Sequence, residues 1–167
     1  MIFVTTGNYL AFPRLIEAVD RLKRDGSIRE EVVLQVGNTL FLSENCTTVD
    51  FLSPVEFSAA VRRARIVISH AGAGAVIHAL GAGKIPVVMP RRKKYGEHVD
   101  DHQLDLARVL AAERRAIVAL ESADLPAAIA SAASAGGAAR SDQPLKMIRL
   151  VSRAIEEILQ LQASRNF

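Results

Sequence analysis

A glycine-rich segment that contains a histidine offers the clearest chemistry in this sequence. The apolar run Ile66–Ser69 leads into His70, and Gly72 and Gly74 follow directly. A strand that enters a Gly-x-Gly turn and then a helix brings unpaired backbone N–H groups and the positive end of the helix dipole to one point, which suits a phosphate. Glycines there also let a ligand reach the backbone with no Cβ in the way. The segment therefore predicts an anion site, and close packing of the helix on the strand is the alternative explanation of the two glycines.

The residues around this segment disfavour three common kinds of site. The dinucleotide fingerprint needs a third glycine, and that position is Ile77. A Walker A loop needs a glycine where this chain has His78. A nucleophile elbow needs glycines two residues either side of its serine, but Ser69 has Val67 and Ala71. NAD oxidoreductases, P-loop NTPases and α/β-hydrolases are therefore poor matches.

A second group of polar residues lies near position 100. His98, Asp101 and His102 have a spacing that fits one face of a helix, where they could bind a divalent metal. Glu97, Asp100 and Asp101 also form an acidic cluster that favours the positive end of a helix. Helix stabilisation is the commoner role of such acids. We therefore expect no metal and keep a metal site as the alternative.

Composition sets the broad class of the protein. The chain has 167 residues, of which 50% are hydrophobic and 23% charged, with one cysteine. These values are typical of one globular domain without an internal disulfide. No run approaches the roughly 20 apolar residues of a transmembrane helix, and the N-terminus lacks signal-peptide features. We therefore expect a single domain over residues 1–167 in the cytoplasm.

Basic residues form three clusters, at 62–65, 91–94 and 114–115, in a chain of net charge +3. Such clusters are either solvated faces or sites for a polyanion such as a nucleotide phosphate or a nucleic acid. With only two tyrosines, six phenylalanines and no tryptophan, the chain has few side chains on which bases could stack. We therefore expect no nucleic-acid partner.

Strand-like and helix-like segments alternate along the chain. Short apolar, β-branched runs predict strands at 2–5, 31–36, 47–52, 66–69, 86–89 and 116–120. Helical spacing predicts helices at 13–24, 54–63, from the glycine turn to 83, 99–113, 124–135 and about 145–162. Ser53 followed by Glu56 is a capping box for the second helix. This alternation predicts an α/β fold, a Rossmann-like parallel sheet with helices on both faces.

The last predicted helix, at about 145–162, carries an apolar stripe. Packing on the chain's own sheet and docking of a partner both explain such a stripe. The stripe consists of Leu145, Ile148, Val151, Ile155, Ile158 and Leu159.

Three segments, in order and at matching spacing, resemble glycosyltransferase family 28. Residues 68–90 resemble its nucleotide-sugar signature, 95–103 its Asp-His-Gln segment, and 2–8 the glycine turn that opens its C-terminal domain. The similarity covers about residues 1–120. It is strongest to small single-domain members: PssE-type exopolysaccharide transferase subunits and the eukaryotic subunit that adds GlcNAc to a dolichol-linked sugar. The resemblance implies one half of a GT-B fold, namely the donor-binding half.

The resemblance also implies a UDP-sugar site. Gly7 and Asn8 would lie at the diphosphate, Phe51 and Leu52 would flank the uracil, and His78 would take the ribose position. A turn would hold the pyrophosphate, formed by His70, Gly72, Ala73, Gly74 and Ala75. Further residues would face the donor sugar and the phosphates: Asp101, His102 and Gln103. Arg91 is a candidate cation for the charge that develops on the leaving diphosphate.

The implied activity is inverting hexosyl transfer from a UDP-sugar without a metal or other cofactor. His70, His102 and Asp101 are the implied catalytic residues, and the general base could equally belong to another chain. Because the chain has the length of one domain, we expect a membrane-anchored partner to supply the acceptor half and present a lipid-linked saccharide. The protein would then be recruited to the inner face of the membrane. A non-catalytic nucleotide-binding accessory module and a homo-oligomer remain open alternatives.

Overall fold

A parallel sheet of six strands organises the part of the chain that the computed structural model describes, residues 1–134. The predicted helix at 145–162 lies outside these residues. The strands are β1 (Ile2–Thr5), β2 (Val32–Gln35), β3 (Thr47–Val49), β4 (Ile66–Ser69), β5 (Val87–Val88) and β6 (Ile117–Val118). The helices are α1 (Pro13–Arg24), α2 (Pro54–Arg63), α3 (Ala73–Gly81), α4 (His102–Ala112) and α5 (Leu125–Ser134).

The strand order places the ends of β1 and β4 side by side. The order is β3-β2-β1-β4-β5-β6, and every neighbouring pair is parallel. Thr5 at the end of β1 is in register with Ser69 at the end of β4. Strand order reverses between these two strands, and in such sheets ligands bind in the crevice beyond the strand ends at the reversal. The predicted Rossmann-like sheet is therefore confirmed, and its crevice lies beside the glycine-rich turn.

Helices cover both faces of the sheet, because successive strand residues point to opposite faces and both sets are apolar and buried. Val4 and Ile68 belong to a core cluster that includes residues of α1 and α5. Phe3 and Val67 belong to a cluster on the other face, with residues of α2 and α3. Among residues 1–134, no helix combines the length and the apolar character needed to cross a membrane.

Local hydrogen bonds from side chains to the backbone explain where two helices begin. Ser53 and Glu56 form the predicted capping box at α2: the Ser53 hydroxyl accepts from the Glu56 N–H, and the Glu56 carboxylate accepts from the Ser53 N–H. The prediction that α4 spans 99–113 is wrong at its start, because α4 begins at His102. The Asp100 carboxylate accepts the His102 N–H at 3.1 Å, and this turn keeps the preceding residues out of the helix.

Candidate functional site

An open cleft of about 440 Å³ lies beyond the ends of β1 and β4, against the first turns of α2 and α3. It brings together eight of the residues predicted for the donor: Gly7, Asn8, Leu52, His70, Gly72, Gly74, Ala75 and His78. It also contains five residues that sequence reasoning missed: Thr5, Tyr9, Gln35, Pro54 and Phe57. The cleft therefore collects most of the predicted site at the reversal point of the sheet.

The start of α3 presents its backbone to this cleft. Ala71 adopts the left-handed conformation with φ +58°, and Gly72 is the N-cap, with no side-chain hydrogen bond capping the helix. Helical geometry leaves the first N–H groups of α3 without intrahelical acceptors, including those of Ala73, Gly74 and Ala75. A Cβ added at Gly74 would meet no described atom within 4 Å. This first turn is therefore open to a ligand directly above Gly74.

The imidazole of His70 explains the other glycines. A Cβ at Gly72 would lie 2.1 Å from His70 Nε2, and one at Gly7 would lie 2.6 Å from His70 Cε1. Gly7 also has a φ of +73°. Gly7 and Gly72 are thus required by close packing against His70, whereas Gly74 is not constrained by any contact of this kind. Packing against His70 accounts for Gly72, and the anion site stays a prediction at Gly74.

Burial keeps the His70 ring neutral. Desolvation, with the nearby charge of Arg91, lowers the pKa of His70 from 6.5 to about 3. The Thr5 backbone opposes this shift, but Nδ1 has no partner of hydrogen-bonding geometry within residues 1–134. A misaligned contact with the Thr5 backbone is a weak hydrogen bond, so it offsets little of the shift. At neutral pH, His70 is therefore an uncharged group with one unsatisfied nitrogen.

A buried glutamine organises the loop after β1. The Thr5 hydroxyl donates to Gln35 Oε1 at 3.2 Å and accepts from the Gly7 N–H at 3.1 Å. Gln35 Nε2 then donates to Asn8 Oδ1 at 3.3 Å. The signal that could have revealed Gln35 is its position, since it is a polar residue that ends the apolar strand β2.

Apolar side chains form one wall of the cleft. Leu52 and Phe57 line it, and the Phe57 ring meets the exposed His78 ring edge-on at 5.2 Å between centroids. Phe51, predicted beside Leu52, instead lines a separate cavity of about 570 Å³ formed by residues 37–42 and Asp50. The side chains of neighbouring residues diverge here, so the structure brings only one of the predicted pair to the cleft.

Arg91 lies beneath the site and does not line the cleft. It is 2% exposed, and its Nη2 donates to the carbonyl oxygens of Leu10 and, at 2.7 Å, Thr6. The Arg91 N–H donates to Gln103 Oε1 at 3.1 Å, and its guanidinium lies 5.1 Å from the Phe12 ring centroid. Burial lowers the Arg91 pKa to about 10, which leaves it charged at neutral pH. Arg91 therefore ties the loop after β5 to the loop after β1, and Gln103 ties it to the start of α4.

Two glutamates, Glu97 and Glu121, pair with Arg14 and with part of the basic cluster at 91–94. Glu97 accepts from Arg14 at 2.6 and 2.8 Å and from the Arg92 N–H at 2.9 Å. Glu121 pairs with Lys94 at 3.0 Å and with Arg92 at 3.6 Å. A polyanion at this cluster would compete with Glu121 for Arg92 and Lys94, and the solvated-loop and polyanion explanations both stay predictions.

The acid and histidine near position 100 lie outside the residues that line the cleft. The Asp101 carboxylate accepts from the Lys93 N–H at 2.9 Å, and Asp101 is exposed. Asp100, not Asp101, lies between His98 and His102. The metal-site alternative in the sequence therefore needs correction, because the late start of α4 removes Asp101 from the histidine pair.

Comparisons with known proteins agree with this geometry. Residues 1–150 match the family model of the glycosyltransferase family 28 C-terminal domain. The chain is 32% identical over 129 residues to the UDP-N-acetylglucosamine transferase subunit ALG13 of Yarrowia lipolytica, and 33% identical over 118 residues to that of Homo sapiens. These matches cover 71% and 65% of the chain but only 64% and 10% of the relatives.

A solved structure shows the same fold. The glycosyltransferase SnogD from Streptomyces nogalater superposes with a TM-score of 0.60 at 22% identity, over 97% of this chain and 42% of that chain. This likeness agrees with a Rossmann-like domain that corresponds to one half of a GT-B enzyme. On the family match over most of its length, this chain belongs to glycosyltransferase family 28, as a C-terminal-type domain of that family.

Proposed function

We propose that this chain is the donor-binding subunit of an inverting glycosyltransferase that uses a UDP-sugar. The observation that carries the proposal is the first turn of α3, whose N–H groups open into the cleft over Gly74 at the reversal point of the sheet. The relatives are named as UDP-N-acetylglucosamine transferase subunits, so UDP-N-acetylglucosamine is the first donor to test.

The proposed donor lies across the cleft. Its diphosphate accepts hydrogen bonds from the N–H groups of Ala73, Gly74 and Ala75, where the helix dipole favours negative charge. The uracil lies against the apolar wall that includes Leu52, and the ribose lies near His78, which can hydrogen-bond a hydroxyl.

In the proposed reaction, the leaving diphosphate is the group whose developing charge most needs stabilisation. The acceptor hydroxyl attacks the anomeric carbon, the bond from that carbon to the diphosphate oxygen breaks, and UDP leaves with the bonding electron pair. Fixed donors at the start of α3 stabilise the charge that develops on the diphosphate. A metal is not required for this step.

A base must take the proton of the acceptor hydroxyl. With a pKa of about 3, His70 is a weak base, so we assign it the role of an uncharged hydrogen-bonding partner of the donor. His102, whose Nδ1 contacts the Asp100 carboxylate, is the base candidate within this chain. Asp101, the preceding residue, keeps its proposed role at the donor sugar. A base on the partner subunit is the alternative.

The proposed acceptor half belongs to a membrane-anchored partner that presents a lipid-linked saccharide, in exopolysaccharide or capsule synthesis. Support comes from the relatives, which are named as transferase subunits. The chain would then act at the inner face of the membrane, held there by its partner.

The test is a transfer assay with UDP-sugars, using the purified chain alone and with the product of the neighbouring gene. We expect turnover only with the partner, and loss of turnover with retained UDP binding in Asp101→Asn. Full turnover by the lone chain would refute the split enzyme. Two results would favour the accessory module, provided that the chain binds UDP. One is a complex with Asp101→Asn that is as active as the wild-type complex. The other is the absence of turnover with every partner tested.

A further inference from the structure

We propose that His98, Asp100 and His102 form a binding site for one divalent transition-metal ion of the zinc class. The site lies just before and at the start of α4, outside the residues that line the donor cleft. It does not rest on the proposed function, because the metal can be tested with the purified chain and no sugar donor.

The ligand atoms are already gathered. One side-chain ligand atom from each of the three residues lies within 4.8 Å of the others. His98 Nδ1 is 3.2 Å from Asp100 Oδ1, which also contacts His102 Nδ1, and the two imidazole rings meet edge-on at 4.5 Å between centroids. Zinc bonds of about 2.0–2.2 Å place neighbouring ligand atoms of a tetrahedral site about 3.4 Å apart. Small side-chain rotations would therefore seat an ion.

The donor set selects the class of metal. Two imidazoles and one carboxylate suit Zn²⁺, Co²⁺, Ni²⁺ or Fe²⁺, whereas Mg²⁺ and Ca²⁺ prefer sites made only of oxygen ligands. Three protein ligands leave at least one coordination position for water or another oxygen ligand. The side chains of His98, Asp100 and His102 are 12%, 44% and 40% exposed, so an ion can enter from solvent.

The backbone fixes which acid can serve as the ligand. Asp100 accepts the His102 N–H at 3.1 Å, so the turn that starts α4 holds this carboxylate between the histidines. The neighbouring Asp101 carboxylate instead accepts the Lys93 N–H at 2.9 Å. Two adjacent aspartates therefore have different expected roles, and the pair provides a matched control.

An ion at this site would change how His102 can act. An imidazole nitrogen bound to a metal has no lone pair for a proton. If the metal binds the His102 nitrogen that would otherwise accept the proton, the base in the proposed transfer comes from the partner subunit.

The experiment uses the untagged full chain, stripped with a chelator and titrated with Zn²⁺ by calorimetry and with Co²⁺ by absorption. We expect one saturable site, and at least a tenfold loss of affinity in His98→Ala, His102→Ala and Asp100→Asn. Asp101→Asn and His78→Ala should bind within twofold of wild type. Zn²⁺ should also raise the Tm of wild type but not of Asp100→Asn, because it stabilises only the folded state that holds the site.

Circular dichroism shows whether each variant is folded. A folded Asp100→Asn that binds Zn²⁺ like wild type would overturn the site. Equal losses in Asp101→Asn and Asp100→Asn, or the absence of a saturable site in wild type, would also overturn it. UDP binding measured on the same samples separates a failure here from a failure of the proposed donor site.

Discussion

Replacing Gly74 by alanine separates ligand binding from folding more cleanly than any other change in this site. The added Cβ meets no described atom within 4 Å, and Gly74 has no positive φ, so the folded state accepts it without strain. Alanine in a helix is more favourable than glycine by up to about 1 kcal/mol. For a domain of this size, such a gain raises the Tm by about 2–4 °C.

The same methyl group would occupy the side from which a diphosphate approaches the backbone. Loss of one hydrogen bond to a charged oxygen costs about 1.5–3 kcal/mol, which is roughly ten- to a hundredfold in Kd. Calorimetry with UDP should therefore show weaker binding in a protein that is at least as stable as wild type.

Gly81 provides the matched control. It is also a glycine of α3 with open space around its Cβ position, and it does not line the donor cleft. Gly81→Ala should retain wild-type affinity for UDP. Equal affinity in Gly74→Ala and Gly81→Ala, with both folded, would refute a diphosphate position at this turn.

Three further predictions concern stability. His70 takes up a proton near pH 6.5 in the unfolded chain but only near pH 3 in the folded chain. Between these pH values, protonation of the unfolded chain lowers the free energy of unfolding by at most about 1.4 kcal/mol per pH unit. Denaturation curves of wild type should therefore lose more stability than those of His70→Gln as the pH falls from 6.5 to 4.5, and parallel losses would contradict the neutral buried ring. Glu97→Gln should cost about 2 kcal/mol in urea unfolding, because Arg14 loses its charged hydrogen-bond partner at 2.6 Å and keeps the more distant Glu121, at 3.8 Å. Asp105 forms an exposed pair, so Asp105→Asn should change stability by no more than about 0.5 kcal/mol. Similar costs for the two substitutions would argue against the contribution of the Arg14–Glu97 pair. Ser53→Ala should cost about 1 kcal/mol by thermal unfolding through loss of the α2 cap, and an unchanged Tm would show that the capping box contributes little.

Sequence patterns were sufficient for the parts of the fold that depend on local signals. The apolar runs predicted β1 and β4 with their observed bounds, and the Ser53–Glu56 capping box predicted the start of α2. Other strands are shorter than predicted. At β5, the flanking Pro86 and Pro90 have no N–H with which to extend the ladder.

The site was less predictable because it depends on contacts between distant residues. Arg91 meets the Thr6 carbonyl across 85 positions, and no local pattern reveals that its charge is buried rather than offered to a ligand. Gln35 reaches the loop after β1 only because β2 pairs with β1. The choice between Asp100 and Asp101 depends on where α4 begins, and helix bounds are the least predictable feature of a helical pattern.

The most direct test of the account is an amide NMR titration of the full chain with UDP. The account predicts that the backbone N–H signals of Ala73, Gly74 and Ala75 shift most as UDP saturates, while that of Gly26, remote from the cleft-lining residues, stays in place. Unmoved signals at the start of α3 under saturating UDP, or shifts centred on residues 37–42, would contradict it.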